Sequence, residues 1–401
     1  MDHPVLSIDV SKSQSYAAAF LSFGQPYQRP TKFQHTPKGL SSLLDCLSRL
    51  ELKTGKKPQV VLEATGNYSK PIISFFQQYN YQVVVLNPLE THQQKKKCIR
   101  KVKTDLVDTN RIAQVYYQNH QVPAAHLDSL TLELRNLCRQ YEGFNALYTE
   151  VQLCLRSILD LLFPNYDQVF SHIRGVTALN VLSSFPSPQA ILSASRSDIL
   201  EALKPSKHSA SWREMKADQL ISAARESLPD NLAQQSNTRV LKNYIEILLT
   251  YKRIMTDIRV QMIEQASLSP IFSLLKSIPG VGELTAATIL GEIGDITRFP
   301  TSKQLVAFAG LDPSVFESGK FKSKNNKISK RGSTYLRKAL YQATVAGISK
   351  RSTGILNPVL YKFYSKKLSE GKPSKVAIVA ASSKLLRIIY GIWTSKQPFT
   401  M

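Results

Sequence analysis

Four carboxylates in the first 108 residues, Asp9, Glu63, Asp105 and Asp108, have the type and spacing to hold divalent metal. Asp9 lies in PVLSIDVSK, an apolar run that reads as a strand, and Glu63 closes a second such run in QVVLEATGNY. Asp105 and Asp108 fall in KTDLVDTNRIA, which reads as the first turn of a helix with Thr104 as its N-cap. Their three-residue spacing puts both on one helical face. A carboxylate at a strand end beside a core is costly unless something compensates it, and hard cations that take oxygen ligands do so. Two strand acids and a helical pair can therefore converge on one or two Mg²⁺ (or Mn²⁺) ions, the arrangement used for phosphoryl transfer.

Composition narrows the partner. Lys and Arg total 52 against 29 Asp and Glu, a net charge of +23. Such an excess points to a polyanion, nucleic acid first. It is concentrated: Gly319–Met401 holds 18 Lys/Arg and one acid, Glu370. Four scattered cysteines without paired metal spacing suit reduced thiols in a cytosolic setting. No basic leader opens the chain and no run approaches a membrane span, so the expectation is a cytoplasmic, nucleoid-associated protein without a membrane partner.

The elements that must position the acids follow from periodicity. Up to about residue 125 strands and helices alternate (VLSIDV, YAAAFLSF, a helix from Pro37, QVVLEA, SKPIISFFQQY, QVVVLN, the Asp105 helix), which suits an α/β layer around one buried sheet. Residues 126–267 change period. Leu134, Leu137, Tyr141, Phe144, Val151, Ile158 and Leu162 make one long amphipathic helix, and Leu241 through Met262 a second. The two can pack as an antiparallel pair or pair between chains. Residues 164–238 between them read as a small helical insertion.

Residues 268–401 open with SIPGVGELTAATILGEIGD, which has the form helix, tight turn, helix. Gly280 and Gly282 make the turn, and the following helix's N–H groups can hold a phosphate. Then come FAGLDPSVFESGKFKSKNNKISKRGSTYLRKAL and its bases Lys320, Lys322, Lys327, Lys330, Arg331 and Arg337, with Phe321 and Tyr335 among them. Such a stretch serves phosphates and stacked bases alike.

Taken together, these motifs resemble the DEDD transposases of insertion-sequence family 110, which includes Piv-type DNA invertases. IDVSK, LEATGNY and KTDLVDTNRIA resemble the family's RuvC-like (RNase H-fold) N-terminal half; SIPGVG, FAGLDP, SG and ISKRGSTYLRKAL resemble its C-terminal transposase half. The resemblance implies an α/β RuvC-like domain over residues 1–125, a helical, coiled-coil-like region over 126–267 and a mostly α C-terminal domain with a helix-hairpin-helix over 268–401. It implies Mg²⁺ (or Mn²⁺) at Asp9, Glu63, Asp105 and Asp108, and a serine that forms a covalent bond to DNA. Ser318 occupies that place, although ESGK stands where many relatives have SSGG; Ser314, Ser323 and Ser329 are the alternatives. Donor and target DNA, a structured guide RNA and a homo-oligomer (dimer or tetramer) are the implied partners. A resolvase-like nuclease using water, and a DNA-binding protein with an idle tetrad, are the competing readings.

Overall fold

A computed structural model of the chain describes residues 3–86, 88, 91, 105–119, 128–205, 208–230, 232–313, 317–318, 321–322, 327–352 and 354–400. The chain divides into two compact units, Met1–His126 and Leu127–Met401.

The first unit runs β1 (Val5–Asp9), β2 (Gln14–Ser22), β3 (Gln25–Gln34), α1 (Pro37–Thr54), β4 (Gln59–Glu63), α2 (Ser69–Gln78), β5 (Val83–Leu86) and α3 (Asp105–Asn119). Its sheet has the order β3-β2-β1-β4-β5. β1, β4 and β5 are parallel; β2 and β3 are antiparallel. Side chains alternate between faces along a strand. Leu6, Ile8, Val60 and Leu62 therefore meet Leu47 and Leu50 of α1 and Ile72 and Phe76 of α2. Val5, Val61 and Val84 meet Ile112, Ala113 and Val115 of α3 on the other face. Burial on both faces explains why β1, β4 and β5 are apolar runs rather than alternating ones. Local signals fix α1: the Thr36 side chain accepts from the Gly39 N–H, Pro37 opens the first turn, and Gly55 ends it at φ 65°. A mixed sheet clad by helices on both faces, followed by a mostly helical remainder, fits an RNase H-like domain.

β3 is an element that the apolar pattern misses. QPYQRPTKFQ carries two prolines and little apolar content. It is nonetheless an edge strand, where proline is tolerated, and its register against β2 slips repeatedly.

The second unit begins with α4 (Ser129–Leu162) and continues through α5 (Tyr166–Val169), α6 (Val176–Ser184), α7 (Pro188–Ser193), α8 (Arg196–Leu203), α9 (Ala210–Glu226) and α10 (Gln234–Ser267). α4 and α10 pack along each other within the chain. The amide of Gln265 reaches the Leu130 carbonyl at 3.4 Å, and Phe144 meets Tyr251 at 6.0 Å between ring centroids, so the pair is antiparallel. Of the two arrangements open to these helices, the chain adopts the internal one. At one end of the pair, Leu155, Leu159, Leu241 and Leu248 join a core built with the small helices α5–α9. At the other, Leu134, Cys138, Ile258 and Met262 join the core of the C-terminal region. Between Cys138 and Leu155 on α4, and between Leu248 and Ile258 on α10, no residue is buried.

That C-terminal region comprises α11 (Pro270–Lys276), α12 (Glu283–Ile293), α13 (Ser302–Phe308), β6 (Glu317–Ser318), β7 (Phe321–Lys322), α14 (Thr334–Gly347), β8 (Lys350–Arg351), β9 (Gly354–Ile355), α15 (Pro358–Ser369) and α16 (Ser374–Ser395). The expectation that no run approaches a membrane span needs amendment. α16 is 22 residues long, with a mean hydropathy of 1.5 in its most apolar window. Its apolar side is spent in the protein: Ala377, Ala381, Leu385, Leu386 and Ile389 are wholly buried.

Candidate active site and nucleic-acid interface

Ile8 pairs with Leu62 across the parallel β1–β4 ladder. Asp9 and Glu63 are the next residues on their strands, so they end adjacent central strands about 4.8 Å apart. Asp9 shares its face with Val5, and Glu63 with Val61, and that is the face α3 covers. The direction of α3 is set by two tyrosines. Tyr116 donates to Gln59 at 2.5 Å and Tyr117 to the His3 carbonyl at 2.6 Å, both beside the start of a strand. α3 therefore runs antiparallel to β1. The nine residues from Tyr117 back to Asp108 rise about 13 Å along the helix, and the four steps from Val5 to Asp9 rise about 13 Å along the strand. Asp108, and Asp105 one turn beyond, are thereby brought to the end and face of the sheet that carry Asp9 and Glu63.

The environment of these acids is polar and specific. Asp108 is buried at 7% exposure and ion-paired with the buried Arg111 at 2.9 Å. Glu63 accepts a hydrogen bond from the Thr91 hydroxyl at 2.9 Å. The side chain of Asp105, and Thr104 altogether, lie outside the described residues. Among the described residues no three acid, histidine or cysteine side chains already gather around one point. The donor set, carboxylate oxygens only, is nevertheless what Mg²⁺ or Mn²⁺ takes.

In the second unit, Glu317–Ser318 pairs with Phe321–Lys322 as a two-rung antiparallel hairpin. Ser318 is thus the last residue of its strand. The side chains of Ser318 and Lys322 are outside the description, as are Ser314, Lys320 and Ser323. Ser329 is described. Its hydroxyl donates to Asp312 at 2.6 Å and its N–H to the Asp312 carbonyl at 2.8 Å, which ties ISKRG to FAGLDP. Gly332 makes the knot possible: a Cβ there would sit 2.1 Å from the Phe308 carbonyl oxygen. Lys327, Lys330 and Arg331 are exposed around it, Lys330 at φ 54°. Arg337 turns inward instead. Its guanidinium donates to the Ala309 and Gly332 carbonyls at 3.0 and 2.9 Å, and burial holds its pKa below the ordinary value.

The two turn glycines do different jobs. Gly280, at φ 102°, packs so closely on α14 that a Cβ would lie 2.7 Å from the Ala343 carbonyl oxygen. Gly282 is exposed and is the N-cap residue of α12, with no side-chain hydrogen bond. Glu283 in that first turn is approached by Lys276 at 3.1 Å and Arg259 at 3.9 Å.

Sequence reasoning missed the buried Glu292, at 1% exposure. Arg139 grips it at 2.7 and 3.1 Å and the Ser333 hydroxyl donates to it at 2.7 Å, while Arg135 binds the Gly291 and Glu292 carbonyls. Ser333 also caps α14. This cluster anchors the SKRG loop to α4 and α12. A lone glutamate inside the apolar run TAATILGEIG was the available signal.

A transposase family profile of the DEDD, IS110 type matches residues 6–164, and the profile of the transposase IS116/IS110/IS902 family matches residues 272–364. A pilin gene-inverting protein of Moraxella bovis is 35% identical over 127 residues, 32% of this chain and 38% of its own length. The transposase for insertion sequence element IS1111A of Coxiella burnetii is 32% identical over 162 residues, 40% and 43% of the two chains. An uncharacterized 43.6 kDa protein of insertion element IS110 from Streptomyces coelicolor is 24% identical over 297 residues, 72% and 70%. The matched segment thus spans well under half of the Moraxella protein. The two profiles match the two halves in order and between them cover more than half of the 401 residues: the chain belongs to the IS110-type family of DEDD transposases.

Proposed function

We propose that the chain is a DNA transposase or recombinase that cuts and rejoins phosphodiester bonds. The observation that carries this reading is the meeting of Asp9, Glu63 and the start of α3 at one corner of a mixed, RNase H-like sheet. Asp9, Glu63, Asp105 and Asp108 would hold Mg²⁺ or Mn²⁺. The bound ion would neutralise charge on the phosphate and favour ionisation of the attacking hydroxyl. Ser318 is the nucleophile. Its oxygen bonds to phosphorus and its proton leaves, while the displaced deoxyribose oxygen departs and takes up a proton. One ester replaces another, so the reverse reaction rejoins the strand without ATP. Exposed Lys327, Lys330 and Arg331 hold the DNA backbone, and the α11–turn–α12 unit adds a helix-hairpin-helix contact through the uncapped N-terminus at Gly282. A guide RNA, a homo-oligomer and a cytoplasmic site complete the proposal; they rest on the family resemblance and on the basic composition.

The test is cleavage of end-labelled DNA with Mg²⁺, followed by denaturing electrophoresis. Wild-type protein should give a protein–DNA adduct whose peptide maps to Ser318. Asp9→Asn and Asp105→Asn should lose cleavage by a factor of a thousand or more while still binding DNA, and Ser318→Ala should lose the adduct. Robust cleavage without any adduct would replace the serine with water and favour the resolvase-like nuclease.

A further inference from the structure

α14 has a basic pole at each end. The N-terminal pole is the Lys327–Arg331 loop described above. At the other end the chain leaves α14 through Ile348 and forms β8, β9 and α15. Lys350 and Arg351 on β8 are exposed. Lys362 and Lys366 lie one turn apart on one face of α15. The Lys350 ammonium lies over the Tyr361 ring, 5.7 Å from its centroid, which ties β8 to α15. This pole is built rather than loose. The buried Asn357 sends its side-chain amide to the Pro279 carbonyl at 3.1 Å and its backbone N–H to the Gly347 carbonyl at 2.8 Å.

Charge complementarity identifies the occupant. From Ile348 to the end the chain has ten Lys/Arg and one acid. That acid, Glu370, is already paired with Lys367 at 2.7 Å. The segment has no second acid, so its surface is complementary to a polyanion. An anionic membrane is the poorer match, because the neighbouring α16 spends Ala377, Ala381, Leu385, Leu386 and Ile389 inside the protein. The spacing suits a duplex. α14 has 14 residues, about 20 Å of helix. At 3.4 Å per phosphate along one strand, that sets the two poles roughly six base pairs apart.

We infer that β8 and the basic face of α15 form a second phosphate-contacting surface for duplex DNA, distinct from the Lys327–Arg331 loop. The inference rests on reading the chain as a DNA-acting recombinase. It is tested by the binding of full-length protein to a 24-base-pair duplex over a salt series. Replacing Lys350, Arg351 and Lys362 with Gln should reduce the slope of log affinity against log salt by about one unit for each phosphate no longer neutralised, up to about three. A control triple at Arg239, Lys242 and Lys252 of α10 removes equal charge and should leave the slope unchanged. An equal drop in the control would reduce the effect to overall charge and overturn the inference. A slope that falls for Lys327, Lys330 and Arg331 variants but not for the β8/α15 triple would overturn it while leaving the recombinase reading intact. No change in either triple would remove both.

Discussion

At the scale of single residues, the buried polar groups Asp108 and Glu292 each have an arginine partner. Asp108 is buried against Arg111 at 2.9 Å, and breaking such a buried pair usually costs more than the pair contributes. Glu292 is treated likewise, by Arg139 and Ser333, and its hydrogen bonds raise the Arg139 pKa in return. At Cys138 burial wins instead, outweighing a hydrogen bond with Thr288 and pushing the thiol from 9.0 up to about 12. The folded protein therefore keeps the thiol protonated from about pH 9 toward pH 12, where a free thiol would ionise. Iodoacetamide at pH 8.5 should leave Cys138 unmodified in native protein and label it after unfolding, as peptide mapping would show. The unfolded state loses this proton near pH 9 and the folded state near pH 12. Stability from this group is thus complete below about pH 9 and declines as pH rises toward 12. Native labelling of Cys138 at the rate of an unfolded chain would contradict its placement.

At the scale of elements, the strands that end in Asp9 and Glu63 and the helix that carries Asp108 were readable from apolar runs and helical spacing. That these ends lie along one edge of the sheet was not readable, since it depends on the strand order β3-β2-β1-β4-β5 and on Tyr116 and Tyr117 fixing the direction of α3. β3 was hidden by Pro26 and Pro30, and Glu292 by its apolar surroundings. The Pro279–Gly282 turn was legible as a turn, but its glycines were not separable by sequence. Gly280 meets backbone at a positive φ, and Gly282 sits at φ −84° with nothing within 4 Å of a Cβ. Gly280→Ala should therefore destabilise the protein by about 2 kcal/mol or more through strain and overpacking. Gly282→Ser should be neutral or stabilising by up to about 1 kcal/mol, because serine caps a helix better. Denaturant unfolding of the two variants measures the contrast, and equal losses would mean that the turn is not seated on α14.

At the scale of the whole molecule, the α4–α10 pair joins two cores. Each helix has 34 residues, about 50 Å, and the middle of the pair holds no buried residue. The sequence periodicity revealed the helices but not this thin waist, because partly buried Tyr141, Phe144 and Tyr251 keep the heptad spacing without deep packing. Removing one heptad from each helix, Gln140–Ala146 and Leu249–Met255, should leave both cores folded and draw the α5–α9 core inward by about 10 Å. Small-angle scattering would detect the shortening, and loss of helical circular dichroism on both sides of the cut would contradict it. The waist is where the helix pair has the fewest deep contacts, so a twist between the two cores would be taken up there before either core is disturbed.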